Sequence, residues 1–187
     1  MEKFTTKFIR SNLEESIHKI KILVTNLNEE ILLSSGNDND YIYPRSSIKI
    51  FQAIPFIKSN AVKKFNLTSK SIALACSSHR GEYYHIKELE NWIKKTGIKV
   101  KNLKCGIHNP LNLIASEKIM RSNNNVNQLH NNCAGKHMAM ITSSLVNNYN
   151  VNNYLNFNHP HQLEIRSVFE KFINKKIKNK NFGIDGC

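Results

Sequence analysis

SIALACSSHRGEYYHIKELENWIKKTG, residues 71–97, is the stretch whose reading decides the architecture. Residues 71–78 are a short apolar run bounded by polar residues, the pattern of a buried strand. The segment 83–96 then reads as a helix, with Ile86, Leu89, Trp92 and Ile93 on one face and Gly97 as its stop signal. A strand feeding a helix, with Ser77, Ser78 and His79 at the strand's carboxyl end, predicts a mixed α/β chain with polar chemistry at that edge.

Upstream, IKILVT and EEILLSS around Asn26 and Asn28 predict a hairpin over 20–35, and GNDND marks a loop. SSIKIFQAIPFI at 46–57 predicts a helix with Ile50, Phe51 and Ile54 on its buried face; Pro55 should break or kink it, and Ser46 lies near its start. Downstream, 111–121 reads as a short helix and the Asn-rich 122–132 as a loop. CAGKHMAMITSSLV then resumes a helical pattern through Met138, Ile141 and Leu145, with Cys133 at the helix start. A last helix is expected over 159–174, with Pro160 in its first turn. No repeat or linker divides the sequence, which predicts a single domain over 1–187.

The 187 residues are 40% hydrophobic, enough for a core. No stretch reaches the roughly 18 apolar residues of a membrane span, and the N-terminus lacks the apolar centre of a secretory signal, so a cytoplasmic location is expected. The four cysteines are scattered, which favours reduced thiols and leaves metal ligation open. A net charge of +13 raises nucleic-acid binding. The basic residues are dispersed, however, and only Arg10, Arg45, Arg80, Arg121 and Arg166 are arginines, so nucleic acid is not an expected partner. The dense run KKIKNK at 175–180 reads as a solvated helix end and loop.

Ser46 and Lys49 are three apart, hence on one helical face, where the amine can take the hydroxyl's proton. An N-capping serine beside a surface lysine fits the same letters. Ser78 and His79 can add a hydroxyl and an orienting group, or serve ordinary loop bonding with Glu82 capping the next helix. Cys133 and Lys136 repeat the spacing near a helix start, where the dipole favours a thiolate. Lys95, Thr96 and Gly97 complete the serine β-lactamase signature in letters only: the triplet ends a helix 46 residues after Lys49, with no SDN between, and reads as a C-cap.

Taken together, YPRSSIK at 43–49, ALACSSHRGE at 73–82 and LHNNCAGKH at 129–137 resemble the asparaginase II family, the serine-dependent Rhizobium type; so do ESIHK at 15–19, FQAIPFI at 51–57 and GIDGC at 183–187. The resemblance implies a fold similar to serine β-lactamases and glutaminases, and hydrolysis of L-asparagine to L-aspartate and ammonia. It further implies Ser46 as nucleophile, Lys49 as its partner, Ser78 as second active-site serine, and Arg45 and His79 in the substrate pocket. Cys133, Lys136 and Cys187 correspond to three zinc ligands, and a homodimer is in keeping with the family. Family members are nearly twice as long and supply a second catalytic lysine further downstream, so the chain is expected to be C-terminally incomplete, with exposed apolar edges. Arg80 stands where the family often has a small residue. The rival readings are an inactive fragment or basic binding module, and a penicillin-recognising acyl-serine enzyme.

Overall fold

A computed structural model describes residues 4–37, 40–122 and 125–183. Contacts group the chain into two units, Met1–Tyr43 and Pro44–Cys187.

The first unit is two antiparallel hairpins, β1 (Phe4–Arg10) with β2 (Leu13–Ile20) and β3 (Ile22–Thr25) with β4 (Ile31–Ser35). Ser11 and Asn12 join the first pair, and both have positive φ, 47° and 69°. That is the backbone of a two-residue turn matched to strand twist, with asparagine at the position that tolerates it. In the expected second hairpin, Asn26 Oδ1 accepts the N–H groups of Asn28 and Glu30 at 2.9 and 3.0 Å, closing the turn. Each pairing slips once, at Phe8/Ile9 and at Val24/Thr25. Apart from Ser35, every described side chain of this unit is exposed or half-buried.

The second unit is helical: α1 (Lys49–Lys58), α2 (Ala61–Lys64), α3 (Ser69–Cys76), α4 (Tyr83–Thr96), α5 (Leu113–Arg121), α6 (Ala134–Val146) and α7 (Pro160–Ile173), with 3-10 turns at Arg45–Ile48 and Gln128–His130. At its centre α6 is buried on all sides from His137 to Ser144 and packs against α1, α3, α4 and α7. Thr142 is satisfied within the core: its Oγ1 bonds the Met138 carbonyl at 2.6 Å and accepts Trp92 Nε1–H at 3.0 Å. Gly135 makes the α3 contact. A Cβ built on it would stand 2.2 Å from the Leu74 carbonyl oxygen, so only glycine lets the two backbones touch.

Two expectations are corrected. Residues 71–78 are not a strand, since Ser69–Cys76 is helical. Thr68 caps it through a reciprocal box with Ser71, and the buried residues Ser71, Leu74 and Ala75 follow helical spacing. A short apolar run does not distinguish the two by itself, and two alanines tilt it toward helix. In α1, Ile50 is 58% exposed, and the buried stripe is Lys49, Ala53 and Phe56. The helix also continues to Lys58 through Pro55. Helix α4 spans the expected residues and stops at Gly97, φ 73°, and α5, α6 and α7 fall within two residues of their expected limits. The α/β class stands, as helices with small antiparallel sheets.

Candidate active site

Lys49 occupies a core-facing position of α1 and is 3% exposed. Its stem replaces an apolar side chain in the α1–α3–α6 packing, and its amine must therefore find partners inside. It does so at the end of α3: Nζ donates to the Ser78 hydroxyl at 2.7 Å and to the Ser77 carbonyl at 3.0 Å. Ser78 Oγ in turn donates to Ser46 Oγ at 3.2 Å. The three expected catalytic residues are thus one hydrogen-bonded line, buried at the lysine and open to solvent at both serines. Sequence spacing suggested that Lys49 meets Ser46 along the helix. The contact that organises the line is instead between residues 29 apart, Lys49 and Ser78.

Ser46 sits in the 3-10 turn preceding α1. Arg45 before it is exposed and held at φ 51°, a left-handed conformation that strains a side chain of this kind. Beyond Ser78 the chain turns sharply through Gly81, φ 74°, where a Cβ would come within 2.9 Å of Pro110. That turn brings the Gly81 N–H onto His79 Nδ1 at 3.1 Å. His79 is 3% exposed and stacks on His85 at 5.2 Å between ring centroids. Because Nδ1 accepts, a neutral ring carries its proton on Nε2, and Nε2 has no hydrogen-bond partner among the described residues. Burial first, then repulsion from His85, Lys49, His108 and His130 in their protonated forms, pushes its pKa down to about 4. The ring is neutral across ordinary working pH.

Cys133 and Lys136 lie one turn apart at the start of α6, Cys133 as N-cap and buried, Lys136 half-buried. The Asn131 side chain fixes that start, accepting Cys133 N–H at 2.8 Å and donating to the Cys105 carbonyl at 2.7 Å. Next to Lys136, His137 is fully buried against Tyr154, its Nδ1 2.6 Å from the phenol oxygen. Burial, then Lys136 and Lys49, lower its pKa to about 3. Cys187, the third expected metal ligand, lies outside the described residues. Thiolate and amine donors on one helical turn fit two corners of a tetrahedral zinc site. Among the described residues, no group of three His, Cys, Asp or Glu side chains is arranged for a metal.

The serine loop and the cysteine turn are bonded neighbours, since His79 N–H donates to the Asn132 carbonyl at 3.2 Å. Sequence reasoning passed over Asn131, Asn132 and His108, which carry this junction. The HNNC run reads as loop and as part of a motif, but loop contacts across 24 residues leave no periodic signal. Two surface cavities, one lined by Thr68, Ser71, Glu88 and Lys95 and the other by Tyr149, Asn153, Asn156 and His159, include none of these residues.

Compared with protein families, residues 6–187 match the model described as L-asparaginase II. A search of curated proteins gave no match.

Proposed function

The chain belongs to the L-asparaginase II family, and from that premise we propose that it hydrolyses the side-chain amide of L-asparagine through Ser46, with Ser78 relaying the proton to Lys49. The observation that carries this reading is the line Lys49–Ser78–Ser46 ending on a buried amine. The reaction requires the Lys49 amine to accept the relayed proton, which it does in its neutral form. As Ser46 Oγ attacks the carboxamide carbon, its proton passes to Ser78 Oγ while the Ser78 proton passes to Lys49 Nζ. The attack therefore needs both hydroxyls to turn first, because in the resting site Lys49 donates to Ser78 and Ser78 to Ser46, the direction the two bonds regain after the transfer. The proton on Lys49 returns along the same line to the departing nitrogen, releasing ammonia and leaving an acyl ester on Ser46. Water cleaves the ester by the same exchange and gives L-aspartate. Arg45, exposed beside the nucleophile, suits the substrate's carboxylate, while the buried His79 ring would orient the Ser78 loop from within.

Cys133 and Lys136, with Cys187, would hold zinc. When bound it would supply a fixed positive charge and a brace at the start of α6. No cofactor is needed for the serine steps as written. The penicillin-recognising alternative loses support from Lys95, Thr96 and Gly97, which form the C-terminal end of α4.

The test is ammonia release from L-asparagine by the protein carrying this chain, native and as Ser46→Ala, each with and without a zinc chelator. Release by the native form and a fall of about 10²-fold or more in the variant are expected. Full activity in Ser46→Ala removes that serine from the reaction. The chelator should lower the melting temperature as well as the rate, and an unchanged melting temperature with no zinc in the purified protein refutes the metal assignment.

A further inference from the structure

His108 lies in the loop between α4 and α5, far in sequence from the serines and from Cys133, yet its ring bonds the residue on which both segments converge. Asn132 N–H donates to His108 Nε2 at 3.1 Å. A backbone N–H can only donate, so Nε2 carries no proton. On the other side, Nδ1 lies 2.6 Å from the Asn109 carbonyl oxygen, which can only accept, so Nδ1 carries one. Both contacts demand the same state, a neutral imidazole protonated at Nδ1. An imidazolium has a proton on each nitrogen and cannot accept from Asn132. The Asn132 side-chain oxygen, 3.5 Å from Nε2, is too distant to compete strongly.

The residue so held is the joint of the site. The Asn132 carbonyl accepts His79 N–H, one residue past Ser78, and Cys133 follows Asn132 directly. Asn131 ties the same turn to the Cys105 carbonyl. The loop 105–109 therefore grips 131 and 132 at two adjacent points, and through them the serine loop and the first turn of α6.

We propose that His108 is a positioning residue of this site: as the Nδ1-protonated neutral ring it clamps Asn132, and through Asn132 it sets Ser78 and His79 against the start of α6. The role in turnover rests on the asparaginase reading, whereas the state of the ring does not.

Two measurements separate these. Long-range proton–nitrogen correlation spectra of the full chain at neutral pH should show His108 protonated at Nδ1 and bare at Nε2, with scalar coupling across the Asn132 hydrogen bond. An Nε2-protonated or charged ring, or no such coupling, overturns the clamp whatever the protein hydrolyses. In the ammonia assay, His108→Leu should lower kcat about 10- to 100-fold with KM changed less than about threefold, the effect expected of a site displaced rather than a contact removed. His108→Gln, whose side-chain oxygen reaches the place of Nε2, should restore kcat to within about fivefold. Full kcat in a folded His108→Leu protein, or equal losses in folded Leu and Gln variants, refutes the positioning role. A native protein with the stated tautomer and no hydrolysis fails the asparaginase reading instead, and the turnover role with it.

Discussion

Lys49 takes a buried position on α1, and the proposed reaction needs its amine to accept and return a proton. Arginine offers similar length and charge but stays protonated at any working pH. Lys49→Arg should therefore lower ammonia release about 10²-fold or more, with the circular dichroism spectrum unchanged; retained activity would show that the side chain serves as a fixed charge and not as a base. Histidines carry the pH dependence of the fold. His79 and His161 are buried, and burial is the main reason their pKa values drop from 6.5 to about 4. Between those values the unfolded chain binds protons that the native chain refuses. Stability is accordingly full above about pH 6.5 and declines toward pH 4, by about 1.4 kcal/mol per pH unit for each ring. Urea midpoints should be flat above pH 7 and slope below 6.5, less steeply in His161→Phe; a midpoint constant down to pH 4.5 would contradict this. At this scale the sequence exposed Ser46, Lys49 and Ser78 through local motifs. It hid which of them touch, because Lys49 meets Ser78 only after α1 has packed on α3.

Helices α3 and α6 meet at Gly135 against Leu74, two residues before α3 ends and close in the chain to Ser77 and Ser78. Gly135→Ala forces a methyl into the Leu74 carbonyl. The expected loss is about 1–3 kcal/mol, since backbone gives way less readily than a side chain. A melting temperature lowered by several degrees should accompany reduced kcat, and a variant as stable as the native protein would mean that the helices part without strain. Elements with strong punctuation were legible: α4 has a clean apolar face and a glycine stop, and α7 a proline at its start. The failure at 71–78 has a physical origin, because eight apolar and small residues fit a buried strand or a buried helix equally until Thr68 is recognised as a cap. The first hairpin went unread since Ser11 and Asn12 form a turn without the glycine that usually advertises one.

Across the molecule, apolar burial is concentrated in the helical unit, and the hairpins leave Phe8, Ile9, Leu13, Ile17, Leu23, Ile31 and Leu32 more than half exposed. Two-stranded sheets also keep unpaired edges. The chain should associate with rising concentration, more strongly in high salt, which screens the repulsion of a +13 charge. Sedimentation velocity reads this directly, and a strict monomer at high salt that does not brighten an apolar dye would show those faces covered. Among the described residues no helix is long and apolar enough to cross a membrane. The backbone at Arg45 bears on how such a protein tolerates change. A left-handed arginine beside Ser46 holds a conformation that asparagine or glycine would adopt with less effort. Substitutions there would toughen the molecule while removing the guanidinium. If Arg45 holds the substrate as proposed, screening variants for heat resistance alone selects against the reaction, and libraries built for robustness should leave position 45 untouched.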